Sequence, residues 1–462
     1  MKKTSMYLTC ILLLSILMTS CSPKQDLKPN VENPPVENEE KVGESSEYSE
    51  DDIEPYVNFF SIKDDNKITE KALKERNIDY LLSEDNLLSN KELIANFSAG
   101  NLKVNKTFNT GVPKEVDVDL AYRKYLMPYD YCLINKDGVN IYNTPSFRGN
   151  VIGKGNTFDK LKLVNEVKGE TIKDTGSNKW FGVSWYNKDG KMLYGFIPEG
   201  VSQIRSFRFD NMYSSIKELE NELTKYKYGY ISNYKDVNGS PPLINGKAMD
   251  KYGMQAYQSA PAYIDLNNEN NFRYFPDGII VFILGEEKGY FKVKSLDYEG
   301  EYWVPKKYIS FDNNLDSFSK AVVVDTTNQN QGVFEKRGDK WTLISYTLAT
   351  TGVKEKRKFE TPIGKFKALE KKDRFYYLDD NTRQISGYAP YAVRFAQGAY
   401  IHGIPVDFVK KDGKNVDPGI KEYLFTIGTM PRSHKCVRNY TSHAKFIYNW
   451  ADPNDTAVIT IK

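Results

Sequence analysis

Four cysteines and three histidines carry all the thiol and imidazole chemistry open to this 462-residue chain. His402, His434, His443 and Cys436 fall in the last third, whereas Cys10, Cys21 and Cys132 are scattered ahead of them. No Cys/His group has metal-ligand spacing and no Cys-x-x-Cys occurs, which argues against a metal centre and against a paired-thiol redox protein. The notable thiol is Cys436, within Ser433-His434-Lys435-Cys436-Val437-Arg438. Thiolate is a strong nucleophile, provided a base or a positive charge lowers the ordinary thiol pKa of about 8.5. Lys435 places such a charge next to it. An activated thiol of this kind suits acyl transfer from an unactivated amide.

The same hexapeptide, taken with the upstream His402-Gly403, resembles the signature of the L,D-transpeptidase catalytic domain. In that family a His-Gly pair precedes a variable loop and then Ser/Thr-His-Gly-Cys-hydrophobic-Arg/Asn. Ala349-Thr350-Thr351-Gly352, Thr361-Pro362-Ile363-Gly364-Lys365-Phe366 and Val393-Arg394-Phe395 stand in family-like order ahead of it. The resemblance covers the last third of the chain, and the convergence of the fragments on one cysteine makes the combination specific.

The resemblance implies a role for each residue. Cys436 is the nucleophile and His402 its base, with the Gly403 carbonyl orienting the imidazole. His434 holds the loop, Ser433 either hydrogen-bonds near the site or is a plain turn residue, and the N–H groups of Lys435 and Cys436 face the developing oxyanion. Arg438 either grips a substrate carboxylate or braces the loop. Arg394 and Tyr400 either line the substrate cleft or pack in the core. The substrate class is peptidoglycan stem peptides: Cys436 attacks the third residue, a diamino acid, terminal D-alanine leaves, and a neighbouring amine resolves the thioester. No cofactor or metal is implied, and carbapenem-type β-lactams are expected inhibitors. Water as acceptor gives an L,D-carboxypeptidase instead.

Two departures from the pattern matter. Lys435 stands where the family has Gly, and a position needing φ > 0 costs a non-Gly residue about 1 kcal/mol. This motivates the alternative of a decayed, wall-binding structural protein. The stretch between His402 and Ser433 is also long, and Lys410-Lys411-Asp412-Gly413-Lys414-Asn415 has the polarity of a surface insertion, as lid or as loop decoration.

The elements that must position these residues are mostly strands. Aromatic residues reach 13%, with 33 Tyr and 24 Phe, a usage that favours short strands. The expected class is mainly β: tandem SH3-like barrels followed by a β-rich L,D-transpeptidase catalytic domain, with a few helices. An SH3-like segment is expected at 131–207, and a linker helix plus a second SH3-like segment at 208–312; the catalytic domain is expected at 320–462. Trp180-Phe181-Gly182-Val183 and Tyr290-Phe291-Lys292-Val293, each followed by a turn and a second aromatic strand, suggest the repeat. Such modules serve either as wall-peptide binders or as spacers. Ile216–Tyr226 has helix spacing, and a helix is expected around Ala444–Trp450, with His443 packing or capping it. Cys132 has the setting of a buried strand residue.

The N-terminal part concerns location. Lys2 and Lys3 precede the apolar run Tyr7–Met18, a secretory pattern too short to span a bilayer, over residues 1–20. Met18-Thr19-Ser20-Cys21 resembles a lipoprotein processing site, so Cys21 is the expected lipidated residue and the membrane an expected partner. Residues 21–55 read as a disordered acidic tether and 56–130 as a helical or mixed region. The expected location is the cell envelope, facing the periplasm or cell wall. From Ala321 onward 23 Lys and Arg stand against 15 Asp and Glu, an excess that suits an anionic polymer or acidic peptides. No nucleic-acid module is present.

Overall fold

The structure, a computed structural model, describes residues 102–462 except 187–191, 269, 356–357, 380–381 and 383, together with the short strands Tyr56–Asn58 and Asp79–Leu81. The expected signal segment, the expected lipidation residue Cys21, the expected acidic tether and most of 56–101 lie outside the described residues.

The mainly β class is as predicted, with two α-helices among the described residues. Residues 130–206 form one antiparallel sheet, joined by strands from 56–58, 79–81 and 104–107. Residues 228–310 form a second sheet of seven strands. The two aromatic repeats occupy equivalent hairpins, Lys179–Tyr186 with Met192–Pro198 and Tyr290–Ser295 with Tyr298–Pro305. Between the sheets lies α1 (Phe209–Lys225), which buries Phe209, Met212, Ile216 and Leu219, the three- and four-residue spacing of one helix face. It starts seven residues before the span Ile216–Tyr226 expected from helix spacing, because Phe209 and Met212 already belong to the buried stripe.

The C-terminal region, where the catalytic domain is expected, is built on two sheets. In chain order its strands are β1 (Val116–Val118), β2 (Lys320–Asp325), β3 (Asn330–Arg337), β4 (Lys340–Leu348), β5 (Gly364–Lys367), β6 (Glu370–Leu378), β7 (Ile385–Ala396), β8 (Ala399–His402), β9 (Val437–Arg438) and β10 (Thr456–Ile461). One sheet runs β5-β10-β2-β3-β4-β1, the other β6-β7-β8-β9. Strand β1 comes from the segment expected to be helical or mixed, and it pairs in parallel with β4. The catalytic sheet therefore takes an edge strand from outside 320–462.

Strand β2 shows how the parts are joined. Its residues alternate between two cores, as a twofold side-chain period requires. Ala321 and Val323 pack with α1 and the first sheet, including Trp185 and Leu161. Val322 and Val324 pack with Val281 and Val293 of the second sheet and with Val393, Ile401 and Val437. Both preceding sheets thus share hydrophobic cores with the catalytic region.

The long stretch before Ser433 divides in two. Val409–Lys411 and Lys414–Val416 form an exposed hairpin turning at Asp412 and Gly413, both at positive φ. Leu424, Phe425 and Ile427 instead are buried. The backbone carbonyls there accept from two buried basic side chains of the first sheet: Arg205 donates to Gly428 O at 2.6 Å and Lys160 to Phe425 O at 3.4 Å.

Candidate active site

Strands β8 and β9 run in parallel, with Ile401 opposite Val437 and His402 opposite Arg438. Alternation sends Ile401 and Val437 into the shared core. Cys436, immediately before β9, therefore falls on the other face with Tyr400, His402 and Arg438, and it packs against Tyr400 and Ala392. The fold brings the predicted nucleophile and base onto one face of neighbouring strands.

The imidazole is held in a defined tautomer. His402 Nδ1 lies 2.6 Å from the Gly403 carbonyl, which only accepts, so Nδ1 carries the proton and Nε2 is the free base. Gly403 matters in a second way. A Cβ there would lie 2.9 Å from Thr441 Oγ1 and 3.0 Å from Pro390, so only glycine lets β8 pass the first turn of α2 (Thr441–Trp450).

Burial sets the protonation states. His402 is 3% exposed, and its pKa is pushed down to about 4 by burial; its bond to Gly403 opposes the shift and the charge of Arg438 adds to it. Burial pushes the Cys436 thiol up, while a backbone contact at Tyr400 and the charges of Arg438 and Lys435 pull it down. At neutral pH the resting pair is an uncharged thiol and an uncharged imidazole. Cys132 and Cys436 are both free thiols, and Cys132 is buried in the strand Asp130–Ile134, with its pKa pushed up to about 12 by burial.

The nucleophile loop is braced from several directions. Ser433 Oγ donates to the Cys436 carbonyl, and Ser433 N donates to Thr351 O at 3.1 Å. Thr361 Oγ1 donates to Lys435 O at 2.7 Å and accepts from Gly352 N at 2.8 Å. A Cβ on Gly352 would lie 2.4 Å from Phe359 O and 2.8 Å from Lys435 Cα, which explains the glycine of the Thr-Thr-Gly segment. The two upstream sequence fragments are thus the frame of this loop.

Lys435 adopts φ +74°, the left-handed conformation that the family's glycine takes without cost. Its Nζ donates to Gln397 Oε1 at 2.7 Å and lies 5.2 Å over the Phe359 ring, and burial pushes its pKa down to about 8. The expectation for its backbone needs correction. Lys435 N–H donates to Phe359 O at 2.9 Å, so of the two donors assigned to an oxyanion hole this one is already engaged inside the loop.

His434 is exposed and meets Phe359 edge-on, with ring centroids 5.3 Å apart. Arg438 exchanges backbone hydrogen bonds with Thr350 at 2.8 and 2.9 Å, and its charge acts on both His402 and Cys436. Arg394 and Tyr400 belong to a buried network rather than to an open cleft. Arg394 donates to Asp277 and, at 2.8 Å, to Glu370, and it stacks over Tyr234 at 3.9 Å. Tyr400 donates to Glu370 at 2.9 Å and stacks on Phe375 at 4.2 Å. Asp277 and Tyr234 come from the second sheet's region, so this network fastens that region to β7. His443 is also structural: it is fully buried on α2, with Nε2 2.8 Å from Ser345 Oγ and Nδ1 3.1 Å from Gln331 Nε2.

Sequence reasoning missed Phe359 and Gln397, which receive the backbone and side chain of Lys435. It also missed Asp277, Glu370 and Tyr234 around Arg394. None lies near its partner in sequence, and no local spacing marks them. No group of three or more His, Cys, Asp or Glu residues suited to a metal ion occurs among the described residues.

Residues 319–459 match the model of the L,D-transpeptidase catalytic domain. Similar solved structures include an L,D-transpeptidase from Mycobacterium smegmatis, at 16% identity over 39% of this chain and 82% of that one, with a TM-score of 0.25. L,D-transpeptidase 3 from Mycobacterium tuberculosis, solved with a faropenem-derived adduct, is 18% identical over 39% of this chain and 79% of that one, with a TM-score of 0.23. A fused Zn-dependent amidase/peptidase/peptidoglycan-binding protein from Clostridium acetobutylicum is 20% identical over 31% of this chain, with a TM-score of 0.22, and only 52% of its length is spanned. No curated protein matches. Over residues 319–459 the chain therefore carries an L,D-transpeptidase catalytic domain.

Proposed function

We propose that this protein is a cysteine-dependent L,D-transpeptidase acting on peptidoglycan stem peptides. The observation that carries the reading is the placement of His402 and Cys436 on one face of the neighbouring strands β8 and β9, with the imidazole tautomer set by Gly403. His402 Nε2 takes the thiol proton as Cys436 Sγ attacks the carbonyl of the third stem residue. The Cys436 N–H is the backbone donor proposed for the oxyanion, since that of Lys435 is engaged. As the C–N bond breaks, the imidazolium returns its proton to the departing amine of D-alanine, leaving a thioester. A side-chain amine of a neighbouring stem then gives its proton to His402 and displaces the thiolate, forming the cross-link. Because thiol and imidazole are both neutral at rest, the proton transfer accompanies attack instead of preceding it.

The same proposal places the protein outside the cytoplasm, held to a membrane by lipid on Cys21. It also makes Cys436 a target for carbapenem-type β-lactams. The test is intact-mass spectrometry of residues 22–462 incubated with imipenem and, separately, with tetrapeptide-bearing wall fragments. An imipenem adduct absent from Cys436→Ala, with fragment dimers, is the expected result. Loss of D-alanine without dimers assigns water as acceptor. A folded protein giving neither adduct nor product refutes the reading.

A further inference from the structure

The second sheet and the catalytic sheets enclose a cleft of about 990 Å3 that reaches the nucleophile loop at Lys435 and Gly352. Its opposite wall carries Arg273, from the strand Phe272–Pro276 and only 8% exposed. The guanidinium lies between two tyrosine rings, 4.1 Å from the centroid of Tyr252 and 3.9 Å from that of Tyr298, and both tyrosines line the cleft. No carboxylate among the described residues pairs with it, and its buried Nε has no hydrogen-bond partner. The other buried arginines are engaged: Arg394 with Asp277 and Glu370, and Arg205 with the carbonyls of Gly428 and Thr429.

Arg273 is thus a desolvated cation held by aromatic faces. Such faces stabilise the charge from above and below but satisfy none of the donors in the guanidinium plane. Those donors form a fork that matches the two oxygens of a carboxylate. The mouth of the cleft is apolar and open, with Tyr252 58%, Ile264 52% and Met249 38% exposed. An occupant that satisfies both features has a carboxylate for Arg273 and an aliphatic body for the rim.

We propose that this cleft is a carboxylate-binding subsite for the acyl-donor peptide, anchored by Arg273 between Tyr252 and Tyr298. The second sheet then selects the peptide on which the catalytic domain acts. The proposal rests on the acyl-transfer reading of Cys436, but its test does not depend on catalysis. Calorimetric titration of the otherwise complete Cys436→Ala protein would use an N-acetylated diamino acid–D-alanine dipeptide as free acid, the same dipeptide as its C-terminal amide, and inorganic phosphate. The free acid is expected to bind at least tenfold more tightly than the amide. Arg273→Gln should abolish that discrimination and Arg273→Lys should retain part of it. Tyr252→Ala, on the exposed rim, should weaken free-acid binding severalfold even if Arg273→Gln fails to fold. Equal binding of acid and amide overturns the proposal, as does unchanged discrimination in an Arg273→Gln protein of unaltered melting temperature. Phosphate competing as well as the free acid also overturns it, by showing a general anion site. Failure of the acyl-transfer reading appears separately, as a missing covalent adduct on Cys436.

Discussion

Replacing Lys435 separates two costs that the structure places on one residue. Its φ of +74° costs a residue with a Cβ about 1 kcal/mol. Burial also depresses its pKa from 10.5 to about 8, a difference that corresponds to about 3 kcal/mol. The unfolded chain holds the proton more tightly than the folded one. The penalty is therefore complete below pH 8, shrinks between pH 8 and 10.5, and vanishes above. Lys435→Met removes the charge while keeping most of the aliphatic stem. It orphans Gln397 Oε1, which costs about 1–2 kcal/mol at every pH. Relative to wild type, the Met variant should therefore lose about 3 kcal/mol of its advantage between pH 7 and pH 10.5, whatever the absolute difference. Lys435→Gly should exceed Lys435→Ala by about 1 kcal/mol at all pH values, because only the Cβ distinguishes them. Urea unfolding of the four proteins at pH 7, 8, 9 and 10.5 measures both quantities. A wild-type-to-Met difference flat with pH would refute the buried charge, and an Ala variant as stable as the Gly variant would refute the strain.

Three further outcomes are expected. Gly352→Ala forces a Cβ to 2.4 Å from Phe359 O, so thiol acylation should fall by at least tenfold and stability by about 2 kcal/mol; normal acylation would show that the frame around Lys435 yields freely. Arg394→Met leaves Asp277, only 2% exposed, without its cation, and should cost about 3–5 kcal/mol in denaturant unfolding. Arg394→Met with Asp277→Leu should recover much of that loss, and no recovery would mean the pair does not act as a unit. Acid should destabilise the fold early. His402 and His443 have folded pKa values of about 4 and about 3, below the ordinary 6.5, so the stability they permit is complete above pH 6.5 and is lost as pH falls towards 4 and 3. His443→Gln should flatten the decline between pH 6.5 and 4, and an unchanged slope would argue against a neutral buried imidazole.

The parts of the site legible in the sequence were those written in consecutive residues. The placement of Cys436 and His402 on one face, and the bond from His402 to the Gly403 carbonyl, follow from two short segments whose strand register carries them there. The positive φ at Lys435 was foreseeable for the same reason, since its place in a known loop pattern implied it. The stripe of α1 and the turn at Asp412-Gly413 likewise follow local periods and turn chemistry. What could not be read is held by distant partners. Nothing near Lys435 announces that Phe359 takes its N–H, or that Gln397 takes its ammonium. Arg394 beside a catalytic strand invites a substrate role, and only the second sheet's Asp277 shows that its charge is engaged. Strand β1 was hidden because three residues of Val-Asp-Val carry no period long enough to distinguish an edge strand from a loop.

Strand β2 has one further consequence. With alternate side chains committed to opposite cores, residues 319–459 are not a cassette that can be cut out and moved. Excision would strip α1 and the first sheet from Ala321 and Val323, remove Val281 and Val293 from the core of Val322 and Val324, and leave β4 without its edge neighbour. Sequence variation in α1 or in the hairpin Tyr290–Pro305 must then be tolerated by the catalytic sheet, and the reverse. The heritable unit is the interlocked assembly, so insertions have room only at its exposed turns, such as the hairpin at Asp412-Gly413.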